Sequence, residues 1–297
     1  MIRRLIGTVV IIINMFGVTG CGAFLNAAVG MEPSTGESAD SNSAQDIPCE
    51  ITDMDRNTSP DNTARINLGQ IAEESSLPEG CTYSEGTLTI SDAGAYALSG
   101  RAEGCNIVID TYDDETVHII LDGAELYADN GPAIFAKTAA KVILTAADGT
   151  ENIISDSAQY STDREACIFS DCDLALNGTG RLNVYGYYHD AIRSRDRVKL
   201  IGANVYVRAK NDGIRGNDGV VIDGSFVAIE SEGTGILTDS QGGYVVLRGG
   251  VCRVTSGENA IYADHYVSIQ DCENTLYSVR EAVRCSGIRE IEEAGEK

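Results

Sequence analysis

The sequence predicts an all-β chain wound as a single-stranded parallel β-helix, a solenoid of about 22–25 residues per rung. Two observations carry this. The first is self-similarity: "DAIRSRDRVKLIGANVYVRA" (190–209) and "NDGIRGNDGVVIDGSFVAIE" (211–230) align at an offset of 22, with seven of the eighteen pairs from 190/212 to 207/229 identical. A pattern of small, apolar, any and small residues, then a polar turn and alternating apolar residues, starts at Ala133, Cys167, Ala191, Gly213, Gly235, Ala260 and Ala282. The intervals are 34, 24, 22, 22, 25 and 22 residues, a range that marks stacked repeats. The second is the period inside each repeat. Val198 and Leu200, Val205 and Val207, and Leu182 and Val184 alternate with period two, the spacing of a strand. Gly, Asn or Asp separates these short runs, so each rung holds about three strands around a narrow apolar core.

The elements follow in chain order. "MIRRLIGTVVIIINMFGVTGC" opens with Arg3 and Arg4 and continues with about a dozen apolar residues, the length of a secretory leader and short for a membrane span. Val18-Thr19-Gly20-Cys21 resembles the lipobox of bacterial lipoproteins, which implies a signal peptide over 1–20 and a lipid on Cys21. The alternative is an ordinary signal peptide with a cysteine near its cleavage site. Residues 21–80 read as a disordered acidic tether, because "MEPSTGESADSNSAQDIPCEITDMDRNTSPDNTAR" has no sustained apolar period. Residues 81–297 form the solenoid. The net charge of −23 argues against nucleic acid and against electrostatic docking on anionic membranes. A monomer anchored at the bacterial cell surface is expected. Of nine cysteines, eight remain beside Cys21. They are free to pair in an oxidising compartment or to serve as small buried apolar residues.

"GAYALSG" (94–100), "IILDGAEL" (119–126), "ADGTENIISD" (147–156) and the turns "DAIRSRD" and "NDGIRGND" occur in that order. Together they resemble the carbohydrate-binding, calcium-binding β-helix domains of bacterial surface proteins, a family related in shape to pectate lyases. The resemblance covers about residues 81–291 and implies a right-handed parallel β-helix. It also implies binding of cellulose-like or acidic plant polysaccharides, with calcium at acidic turns.

The aspartates repeat along with the apolar residues. Asp190 and Asp212 form one column; Asp171 or Asp173, then Asp196, Asp218, Asp239 and Asp264, form a second. Rungs lie about 4.8 Å apart. Stacked carboxylates at that distance repel by about 1 kcal/mol in water and by more when shielded. Two accounts cover them. Ca2+ takes oxygen ligands and could bridge successive rungs; alternatively, Asp caps tight turns and pairs with Arg193, Arg195 and Arg215. Asp is missing from the first column at Thr234, Asn259 and Glu281, which puts C-terminal metal sites in doubt. For sugar contact the candidates are Tyr185, Tyr187, Tyr188, Arg193 and Arg215, with Tyr206, Tyr244, Tyr262 and Tyr266 behind them. The chain has no Trp, which counts against a tryptophan platform. A polysaccharide binder is therefore expected. The alternatives are a calcium-dependent lyase using Arg215 or Arg193 as base, and a structural β-helix without ligand.

Overall fold

The computed structural model describes residues 11–14, 49–72, 77–112, 115–160 and 162–292. It is a parallel β-solenoid of about eight turns with almost no helix. Of the leader, only the backbone strand Ile11–Asn14 is described, parallel to Thr275–Ser278; Cys21 and its lipobox lie outside the described residues. No helix among the described residues is long and apolar enough to cross a membrane.

Each full turn contributes three strands, and each strand stacks on its equivalents above and below. The first column runs Ile134–Thr138, Ala166–Ser170, Asp190–Ser194, Ile214–Gly216, Ile236–Thr238, Ile261–Ala263 and Val283–Cys285. Its register joins Ile134, Ile168, Ile192, Ile214, Ile236, Ile261 and Val283 in one line, at the intervals found in the sequence repeat. The second column includes Asp173–Asn177, Arg197–Ile201, Gly219–Asp223, Tyr244–Arg248 and Tyr266–Gln270. The third includes Glu151–Ser155, Arg181–Gly186, Asn204–Ala209, Phe226–Ser231, Val251–Ser256 and Glu273–Ser278. Val, Ile, Leu and Ala point inward and make one continuous core from Ile66 to Cys285. Toward the N-terminus, Gly94–Glu103 and Thr116–Tyr127 are long strands that span two columns, and Cys81–Ser84 folds back on Thr87–Ile90 as an antiparallel hairpin.

The expected boundary at residue 80 is corrected. Ala64–Asn67 is a strand paired with Tyr96–Ser99, and Ile66 and Leu68 are buried in the core. Ahead of it, residues 49–57 form a strap across the outer face of the second column. Cys49 and Ile51 pack over Val221, Tyr244, Val246 and Tyr266, while Ile51 also meets Ile143, Ala175 and Ile201. The strap carries a one-turn helix, Asp53–Arg56, closed by a reciprocal cap between Thr52 and Asp55. Asp55 is fully buried between Lys141 (2.7 Å) and Lys199 (3.1 Å). The polar composition of this segment hid the fact that a few apolar residues and one carboxylate suffice to fasten it.

Candidate functional site

Three outer faces result, and the third carries a long open groove. The strap covers the second column. In the first, the outward line Phe169, Arg193, Arg215, Leu237, Tyr262 and Arg284 is largely closed on itself. Arg193 and Arg195 lie over the Phe169 ring, and Arg284 lies over Tyr262. The third column carries the groove, of about 400 Å3, lined by Arg181, Asn183, Tyr185, Tyr206, Arg208, Ala228, Glu230, Arg253, Thr255 and Tyr277 among others.

The groove follows from strand alternation. Leu182 and Val184, Val205 and Val207, and Val227 and Ile229 face the core, so the residues between them must face out. Two outward lines run across the rungs: Asn183, Tyr206, Ala228, Arg253 and Thr275; and Tyr185, Arg208, Glu230, Thr255 and Tyr277. Ala228, small between Tyr206 and Arg253, makes the dip. Aromatic faces are held by cations and by each other. Arg181 sits 3.8 Å over the Tyr206 ring, Tyr206 and Phe226 lie 5.3 Å apart, and Tyr185 stacks on Tyr187 at 6.0 Å and 12°. Arg253 reaches Glu273 at 3.8 Å. Arg208 is exposed and has no ion pair among the described residues. The groove lining holds three arginines and one glutamate, and Glu151 (3.7 Å from Arg181) and Glu273 (3.8 Å from Arg253) stand beside it on the same column.

The sequence-derived candidates divide accordingly. Tyr185 lines the groove and Tyr187, 48% exposed, stacks beside it. Tyr188 turns the other way, onto Tyr160 at 4.0 Å. Tyr206 is in the groove. Tyr244 and Tyr266, considered as surface tyrosines, are corrected: they are buried beneath Cys49 and Ile51. Arg193 and Arg215 are not in the groove but beside the aspartate column, at 3.9 Å from Asp190 and 3.8 Å from Asp212; Arg215 also pairs with Asp239. Arg181, Arg208, Arg253, Phe226 and Tyr277 were missed. Their signal is present in the sequence, as the outward positions of the third strand in successive repeats, but it carries no repeated identity.

The first aspartate column is a ladder of turn caps. Asp190 Oδ1 accepts from the Asp212 N–H (3.0 Å) and from Asn211 (2.8 Å); Asp212 Oδ1 accepts from the Thr234 N–H (2.8 Å). Asn259 does the same for the Glu281 N–H (3.3 Å), which explains why Asn can stand where Asp was expected. Each side chain satisfies a buried donor of the next rung. Burial, with Asp190 close by, pushes Asp212 up to about 6. The hydrogen bond to Asp190 raises His189 above its ordinary value. In the second column Arg195 takes Asp171 (3.0 Å) and Arg197 grips Asp173 with two hydrogen bonds. Asp196 and Asp218 form no ion pair among the described residues, and burial together with Asp173 and Asp218 raises Asp196. Among the described residues no group of three or more His, Cys, Asp or Glu side chains is placed to hold a metal ion. The carboxylates of Asp190 and Asp212, engaged by N–H donors and faced by arginines, fit such an ion poorly. Asp196 and Asp218 are not tied up in ion pairs among the described residues, although Arg197 is near enough to Asp196 to oppose the rise of its carboxyl.

The solenoid thus carries the strap over one lateral face and an open, aromatic and arginine-bearing groove on another. The chain belongs to the family of carbohydrate-binding domain-containing proteins, whose model matches residues 84–293. A protein of Acetivibrio thermocellus with the same description is 28% identical over 225 residues, covering 72% of this chain and 79% of that one. A solved structure of a polysaccharide lyase-like protein from C. thermocellum, in a gadolinium derivative, is similar at a TM-score of 0.71 and 25% identity. It covers 77% of this chain and 96% of its own.

Proposed function

We propose that the groove over Arg181–Gly186, Asn204–Ala209, Phe226–Ser231, Val251–Ser256 and Glu273–Ser278 binds an extended acidic polysaccharide lying across the rungs. One observation carries this reading: Arg208, which makes no ion pair among the described residues, stands between Tyr185 and Glu230 on an open face that also presents Tyr206 and Tyr277. Aromatic rings offer flat apolar faces to sugar rings, and a guanidinium matches a carboxylate in two-point geometry. From Tyr185 to Tyr277 the line crosses four rung steps, about 19 Å at 4.8 Å each. Each step is close to the length of one sugar unit in an extended glycan. The family and the lyase-like neighbour support polysaccharide as the partner; an acidic glycan such as polygalacturonate is favoured over cellulose-like glucans by the arginines. The same proposal includes a lipid on Cys21 that holds the protein at the bacterial surface, and calcium taken up at Asp196 and Asp218.

Retention on immobilised polygalacturonate and on cellulose, with calcium or with chelator, tests it. Arg208→Ala and Tyr206→Ala are each expected to weaken polygalacturonate retention by roughly five- to fiftyfold, or about 1–2 kcal/mol. Equal binding of wild type and both variants would remove the groove from the reading. Unsaturated product absorbing in the ultraviolet would instead favour a lyase. Arg193 and Arg215, the bases expected for that reaction, are engaged by the aspartate ladder.

A further inference from the structure

One carboxylate in the solenoid has no role in stacking. Asp156 follows Ser155, which pairs with Tyr185. The residues one step further on in the later rungs are Gly186, Ala209, Ser231, Ser256 and Ser278, all small and uncharged. Asp156 is 3% exposed, and an isolated carboxylate is costly at such a place. Both of its oxygens are nevertheless used. Oδ1 accepts from the Tyr187 N–H at 2.6 Å and Oδ2 from the Tyr160 hydroxyl at 2.9 Å, while its own N–H donates to the Tyr185 carbonyl at 3.2 Å. The Tyr160 ring in turn lies on Tyr188 at 4.0 Å. One side chain thus fixes the turn that presents the stacked Tyr185–Tyr187 pair at the end of the groove. Only a carboxylate offers an acceptor oxygen to each donor; an amide offers one.

We infer that Asp156 is a positioning residue for polysaccharide binding, locking the Tyr185–Tyr187 ring pair in the orientation that meets the sugar. This rests on the groove reading above. Ionisation supports it. Burial drives Asp156 up to about 6, against the hydrogen bonds it accepts. The titratable groups around it are the phenols of Tyr160 and Tyr188 and the thiol of Cys167 on the adjoining strand. Burial raises both Tyr160 and Cys167, so they stay neutral at working pH. No Lys, Arg or His pairs with Asp156 among the described residues. As pH falls through about 6 the carboxylate gains a proton, one acceptor becomes a donor, and the lock on Tyr187 or Tyr160 loosens.

The test is titration calorimetry of polygalacturonate into wild type, Asp156→Asn and Tyr160→Phe between pH 5 and 7.5, with thermal melting to confirm folding. At pH 7.5 both variants are expected to bind roughly five- to tenfold more weakly, the worth of one hydrogen bond in ring placement. Wild type loses affinity on going to pH 5, and Asp156→Asn shows no such step. Asp212 titrates near the same pH, so the variant's flat profile assigns the step to Asp156. A folded Asp156→Asn that binds within twofold of wild type, or keeps the pH step, overturns the inference while the groove stands. If Asp156→Asn does not fold, Tyr160→Phe carries the test alone, and wild-type affinity in it overturns the inference. If Tyr206→Ala and Arg208→Ala also bind normally, both readings fall together.

Discussion

Asp55 shows how much a single side chain can hold in this fold. Burial alone would raise its carboxyl, but Lys141, the Thr52 N–H and Lys199 outweigh burial and hold it near 2. Its stabilising contribution is present above the unfolded value of 3.8 and is lost as pH falls toward 2. Asp55→Ala would leave two ammonium groups without their partner and is expected to cost about 3–5 kcal/mol in denaturant unfolding. Asp212 has the opposite sign. Its folded value near 6 lies above the unfolded 3.8, so its contribution is favourable below 3.8 and is lost as pH rises through 6. Asp212→Asn keeps an acceptor for the Thr234 N–H and relieves Asp190. It is expected to melt higher than wild type at pH 7.5, by up to about 3 kcal/mol, with the gain gone by pH 4. His118 is buried and pushed down to about 4, and the order of its neighbours sets its tautomer. Thr145 donates to Asn177 Oδ1, so it must accept from Nε2–H of His118. The ladder aspartates were legible because the repeat writes them twice. Asp55, His118 and Asp156 occur once each, and only the folded register gives them partners.

At the scale of the strand and turn, the repeat position read as small has a steric cause. A Cβ at Gly235 would lie 2.2 Å from Val254 Cγ1 and 2.6 Å from the Ala260 carbonyl. Ala191, Ala260 and Ala282 stand at the equivalent place and are buried. Gly235→Ala is therefore expected to cost about 1–3 kcal/mol, read from the midpoint of urea unfolding with m unchanged. The strap is where element-level reading failed. Periodicity finds a strand or a helix, but residues 49–57 are neither for most of their length. Their hold depends on positions nearly ninety to one hundred and fifty residues away, Lys141 and Lys199 among them. For the same reason Tyr244 and Tyr266 looked exposed: alternation puts them outside, and no local signal says that another segment lies over them.

Across the whole molecule the solenoid was legible from its period, and the groove was not. Stacking demands repetition of the inward residues, whereas the outward ones are free to differ, and Arg181, Arg208 and Arg253 do. The eight described cysteines are all free thiols, seven of them buried. Burial raises Cys167, Cys252 and Cys272, so they behave as small core residues. Under native conditions a thiol reagent is expected to modify Cys49 among these eight within minutes, and the other seven only as the chain unfolds. Rapid native labelling of Cys252 or Cys272 would mean that the rungs open far more readily than this packing allows.

The strap has a mechanical consequence. Residues 49–57 precede the first rung strand, Ala64–Asn67, and are clipped to the flank of the column rather than to its end. Tension arriving through the N-terminal side must shear the buried Asp55 clip sideways before it can peel a single rung. The coil is thereby shielded from unzipping, with the groove side still uncovered while the load is borne.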